Sequence, residues 1–144
     1  MVTTRSVHDS VWALLEAVGG GITAYDGDVP KTPPLDGDGA VGAYAVLYFS
    51  PGRRYANALN GVQASVDGSF QVTCAGADPT KALRCVDKVL DALLGVDRRG
   101  SVVDVDGVPR RIRARENDPG PLRCDKGVTP VRFYAPLHFL LLIP

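Results

Sequence analysis

The sequence is poor in the residues that most chemistry needs. Its 144 residues include two histidines, three cysteines, one tryptophan and one methionine. Cys74, Cys85 and Cys124 form no C-x-x-C pair, and no cluster of His, Cys and carboxylate has zinc or triad spacing. Cys74 and Cys85 therefore read as buried free thiols, and an odd count suits a reducing compartment. Net charge is also lacking: sixteen basic residues balance sixteen acidic ones. That excludes a generally basic nucleic-acid binder and an acidic disordered chain. Lysine is scarce, with arginine supplying twelve of the sixteen basic residues. This reads as the codon bias of a GC-rich genome more than as chemistry. No apolar run approaches the roughly twenty residues that cross a bilayer, and no apolar leader opens the chain. The closing run Phe139–Ile143 reads instead as a buried strand or a subunit contact.

What is present suits one α+β domain over residues 1–144. Its length is that of about one domain, and its composition is 45% hydrophobic and 22% charged. Sixteen glycines and eleven prolines punctuate a chain rich in turns. The centre of the pattern is Val62–Gly95. From Val62 to Cys74 the even positions are Val, Ala, Val, Gly, Phe, Val and Cys, and the odd ones are polar. Successive side chains of a strand point to opposite faces, so one face is apolar and one wet. A hairpin turn at Asp67-Gly68 would place Val66 opposite Ser69 and Ala64 opposite Gln71, mixing the faces. One long strand, kinked at Gly68, keeps the pattern. A helix follows, with Asp78 as N-cap, Pro79 at the first position, and Gly95 as the stop. Ala82, Val86, Val89, Leu90 and Leu93 form its apolar stripe; Arg84, Asp87, Lys88 and Asp91 face solvent.

The remaining elements follow in order. Ser6-Val7-His8-Asp9 predicts the start of a first helix, with Val7, Val11, Leu14, Leu15 and Val18 as its stripe and Gly19-Gly20-Gly21 as its end. These glycines follow a helix and lack a P-loop lysine, so they do not read as a phosphate loop. Ile22–Tyr25 predicts a short strand. The loop Asp26–Gly42 carries Asp26, Asp28, Asp36 and Asp38, but no closing Glu as an EF-hand requires. A loop of that length is often functional or contacts a neighbour. Tyr44–Ser50 predicts a buried strand, ended by Pro51-Gly52. Arg53, Arg54 and Tyr55 then form either a solvated turn or a contact loop.

Ser101–Glu116 predicts a hairpin turned at Asp106-Gly107, with Val103, Val105, Val108, Ile112 and Ala114 on one face and Arg110 as the exception there. Arg111, Arg113 and Arg115 share the other face. They suit either phosphate contact or a charged edge that blocks stray strand pairing, and zero net charge favours the edge. Asn117–Gly127 reads as a loop. Thr129–Ile143 alternates as a strand, with Pro136 demanding an edge or a bulge. The whole predicts a mostly antiparallel sheet with two main helices packed on one face.

Several stretches carry a resemblance: Ala24–Pro30 after the first helix; Ala43–Ser50 with Pro51-Gly52-Arg53-Arg54; Phe70–Gly76 leading into the helix at Asp78; Arg123-Cys124-Asp125; and Phe133-Tyr134 in the closing strand. In these and in element order the chain resembles the tail terminator (tail completion, or minor tail) proteins of long-tailed bacteriophages, of the actinobacterial phage and prophage type. The resemblance implies a tail-terminator-like fold and a homo-oligomer, a hexameric ring, at the head-proximal end of the virion tail, assembled in the host cytoplasm. Such a ring caps the tube of major tail protein, ends its growth and meets the head–tail connector or stopper. DNA passes through it without sequence-specific binding. The resemblance brings no enzyme activity, catalytic residue, cofactor, metal or membrane contact. The long strand and the closing strand are the expected subunit contacts, and Arg53, Arg54, Tyr55, Arg111, Arg113 and Arg115 the expected docking residues. Three alternatives stand beside it: another neck or tail part, a small enzyme or ligand-binding domain using His138, Tyr134 and Arg132, and a nucleic-acid module using the arginine strand.

Overall fold

The computed structural model describes residues 3–29, 32–35, 37, 39–56, 63–115, 121–127 and 130–142, with backbone alone at 51–56, 63–67 and 142. Two helices, α1 (Thr4–Glu16) and α2 (Pro79–Leu94), accompany seven strands: β1 (Thr23–Asp26), β2 (Tyr44–Ala56), β3 (Gln63–Gly76), β4 (Val102–Val105), β5 (Val108–Ala114), β6 (Arg123–Asp125) and β7 (Arg132–Leu142). They form one sheet in the order β1-β2-β3-β7-β5-β4, with β6 also paired to β7. Among the described residues only β1 and β2 run parallel; the fold is α+β, as expected.

The expected long strand is present from Gln63 as β3; Val62 lies outside the described residues. Its apolar positions Phe70, Val72 and Cys74 are buried under the helices. Two glycines on β3 mark where helices press closest. A Cβ on Gly68 would stand 3.2 Å from Val7 Cγ1 of α1, and one on Gly76 only 2.7 Å from the Ala82 nitrogen of α2. The kink glycine thus serves close approach. Asp78 caps α2, accepting from the Lys81 N–H, and Gly95 follows its last turn. Ala82, Cys85, Val89 and Leu93 are buried along one stripe, with Val86 and Leu90 at its flank.

The helix-covered core runs on into β7 and β5 through Leu137, Phe139, Leu141 and Ile112. Phe49, Phe70 and Phe139 stack in a file across β2, β3 and β7, with centroids 6.2 and 5.2 Å apart. Fully burying one such side chain stabilises by about 1.5–3 kcal/mol. The expected hairpin is β4–β5, in which Val105 pairs with Val108 and Asp106 takes a φ of 52° in the turn. Arg110 sits on the buried face of β5, 3% exposed, with Nε and Nη1 unpartnered among the described residues. Val108 and Ala114, expected on the apolar face, are exposed at the two ends of that strand.

Other expectations are corrected. The N-cap of α1 is Thr3, not a residue of the Ser6–Asp9 stretch. Ser6 is the return partner of the capping box, its N–H donating to Thr3 Oγ1 at 3.0 Å. Pro51-Gly52 does not end β2. The strand runs to Ala56, and the pairing with β3 shifts register between Ser50 and Arg53. Proline is tolerated there because β1 pairs with β2 only at Tyr44–Leu47, leaving the outer edge unpaired among the described residues. Arg53, Arg54 and Tyr55 are therefore strand residues, not loop residues. The loop assigned to Asn117–Gly127 contains β6. Neither β3 nor β7 is an edge over most of its length: β3 lies between β2 and β7, and β7 between β3 and the β5 and β6 segments. Pro136 falls in the gap on β7 between the β6 partners (up to Tyr134) and the β5 partners (from Phe139), where no ladder donor is required.

Candidate binding site on the open face of the sheet

Alternation sends the other half of each strand to the face without helices. There Tyr44, Val46 and Tyr48 of β2 lie beside Ala75, Thr73 and Gln71 of β3, then Tyr134, Pro136 and His138 of β7. The loop after β1 returns over one end of this face, held by a Leu35–Val41 bridge and a hydrogen bond from Gly42 N–H to the Pro34 carbonyl. Val41 is buried by it with Tyr44, Val46 and Ala75, making a second, small core.

Beside that core lies a cavity of about 430 Å³. Val29, Val46, Tyr48 and Tyr134 supply apolar and aromatic walls, and Thr73 and Gln71 polar points. Arg132, the first residue of β7, lines it and is only 5% exposed. Its Nη1 donates to Tyr44 Oη at 2.9 Å, and its Cζ lies 5.8 Å from the Tyr44 ring centroid. Its Nε is buried without a partner, and no carboxylate among the described residues forms an ion pair with it. Asp125 stands across the β6–β7 ladder from Arg132 and lines the same cavity, with one oxygen accepting from the Gly127 N–H. The Tyr48 phenol is pushed up by burial, then by the charge of Asp28 and by Tyr44, so it stays protonated at neutral pH.

Tyr48 and Gln71 also line a neighbouring groove of about 270 Å³ that holds His138, Arg115 and Ser69. Among the described residues no carboxylate lines this groove. The two hollows make a trough with a buried cation at one end and an arginine at the other. Chemically the trough can bind.

The expected site residues are dispersed. Arg111 and Arg113 do share a face, but Arg111 Nη1 donates to the Gly100 carbonyl at 3.0 Å and Arg113 Nη1 to that of Arg99. Both tie down the loop after α2. Arg115 turns to the His138 groove instead. Arg53 pairs in register with Asp67 and Arg54 with Val66; their side chains, and that of Tyr55, lie outside the description. Of the acidic loop, Asp26 is engaged by His8, while Asp36 and Asp38 lie outside the described residues. Among the described residues no three potential ligands gather for a metal.

Two features escaped sequence reasoning. His8 clips α1 to β1: Nδ1 lies 3.0 Å from Asp9 Oδ1, Nε2 lies 2.9 Å from Asp26 Oδ2, and the ring meets Phe49 edge-on. Burial would lower its pKa, but the hydrogen bonds and charges of the two carboxylates outweigh it and raise it. Asp9 was adjacent in sequence, yet Asp26 is eighteen residues away and nothing local announces it. The second is Arg132, whose place in the alternation gave its face but not its burial. Cys74 and Cys85 lie together in the main core, and the Cys74 thiol is held well up by its hydrogen bond with Cys85 and by burial. Cys124 is exposed on β6.

No family model matches the chain. No curated protein matches it either. Among solved structures, one chain with 15% sequence identity aligns over 99% of this chain and 97% of its own, at a TM-score of 0.45. A likeness that slight carries no functional argument.

Proposed function

We propose that this chain is a structural virion protein, a tail terminator that assembles into a ring, caps the phage tail tube and provides the surface joining tail to head connector. The observation that supports it is a ribbon. Beyond the sheet proper, Arg53–Ala56 of β2 and Gln63–Asp67 of β3 continue to pair with each other. Here β1 has already ended and β7 has not begun, so both outer edges are unpaired among the described residues. A lone two-stranded ribbon is marginal in water, and its free N–H and C=O groups recruit further strands. Joined head to tail to the next copy, such an arm closes a ring. Subunit contacts then belong to this ribbon, not to the interior strands β3 and β7 as wholes. Arg53, Arg54 and Tyr55 ride on it, which keeps them as docking residues. Arg111 and Arg113 have a structural task instead. Six copies, the tube protein below, the connector above and DNA passing through without sequence reading complete the proposal. Among the described residues no helix is long and apolar enough to cross a membrane.

Electron microscopy and mass photometry of the purified chain test it. Discrete rings, and caps on tube ends when major tail protein is added, are the expected result. Unlimited tubes would instead identify a tube protein, and a strict monomer with and without tubes would end the proposal. Replacing residues 52–67 by a two-residue turn should leave a folded monomer.

A further inference from the structure

The cavity over Arg132 is independent of the ring assignment. An arginine residue 95% removed from solvent normally has a carboxylate to compensate its charge, because desolvation without a counter-charge is unfavourable by several kcal/mol. Here the charge meets a tyrosine hydroxyl, and Nε has no partner among the described residues. An unpaired buried cation lining a hollow of about 430 Å³ is what a site lacking its anion looks like. We propose that this pocket binds a monoanionic carboxylate carried on an apolar or aromatic body, with the carboxylate on Arg132 and the body between Tyr48, Tyr134 and Val46. The planar guanidinium fork matches a carboxylate, and the walls match an apolar body. A phosphate dianion fits worse. One arginine supplies the positive charge, while Asp125 lines the same cavity and Asp28 lies close enough to act on Tyr48. Tyr48, protonated at neutral pH, can donate a second hydrogen bond. The same chemistry has two sources: a free small carboxylic acid, or the acidic side chain of a neighbouring copy.

Titration of the full chain with phenylacetate and 3-phenylpropionate, against their amides and inorganic phosphate, tests this. We expect saturable binding by the acids, at least tenfold weaker binding by the amides and by phosphate, and a carboxylate-induced shift of the Arg132 Nε–H resonance in 15N spectra. Arg132→Gln should weaken acid binding at least tenfold, and Arg132→Lys should restore part of it. The resonance shift needs no variant, so a misfolded Arg132→Gln leaves the test intact. Particle size during the titration separates the sources. Dissociation of an oligomer means that the acid displaces a neighbour's side chain; an unchanged size means a free ligand. Acids that bind no better than their amides, or that leave the Arg132 resonance unmoved, would overturn the proposal.

Discussion

The two faces of the sheet are built from the same strands by opposite means. The helix-covered face is closed by α1 and α2 with aliphatic and phenylalanine side chains packed to full burial. The open face is only part-covered, by a loop, and carries tyrosines, a buried arginine and two hollows. Alternation divides each strand between them, so each face constrains only half of its residues. The first face holds the fold together, and the second has room for recognition.

The largest expected effect lies on the closed face. Phe139→Ala, at the end of the stacked file, should lower unfolding free energy by about 3–5 kcal/mol in urea titrations. A loss under about 1 kcal/mol would mean that the closed face is not the main core. Gly76→Ala comes next. Its Cβ would strike backbone atoms of α2, at 2.7 Å from the Ala82 nitrogen and 2.9 Å from the Lys81 carbonyl carbon. Pushing the helix off the sheet should lower stability by about 1–3 kcal/mol, with a matching drop in thermal midpoint.

The open face should respond differently. Arg132→Met exchanges an uncompensated buried cation for an apolar side chain of similar length. It should leave stability within about 1 kcal/mol of the parent, or higher, in the same urea titrations. A loss above about 2 kcal/mol would show that the guanidinium supports the fold, narrowing the contrast between faces. The smallest effect is the pH dependence of the His8 clip, between the two regions. Because the folded pKa lies above the ordinary 6.5, the clip contributes fully below pH 6.5 and fades as pH rises through the raised value. The thermal midpoint of the parent should therefore fall relative to His8→Gln as pH rises across that window. A constant difference between the two would discard the clip.

Legibility in the sequence followed how local the deciding interaction was. The α2 helix could be read with its cap, its stripe and its stop, since all three are written within one stretch. The β4–β5 hairpin was equally plain, because Asp106-Gly107 fixes the turn from two residues. The start of α1 is set by the Thr3–Ser6 capping box, in which serine takes the place usually held by Glu or Gln, so the local signal for it is weak. Pro51-Gly52 looked like an end because proline removes a ladder donor. Only the sheet order reveals that it falls on an unpaired edge, where that donor is not needed. Arg111 and Arg113 looked like a free basic face until the fold brought the carbonyls of Arg99 and Gly100 to them.

By itself the sequence determined α2, the β4–β5 turn and the apolar face of β3 from Phe70 to Cys74, since periodicity, capping and turn chemistry act within a few residues. Tertiary structure alone decided which strands lie inside the sheet, that part of a loop packs on one end of the open face, and that Arg132 is buried there with no ion pair among the described residues. Those outcomes depend on residues tens of positions apart meeting across the sheet, and no local pattern encodes such a meeting.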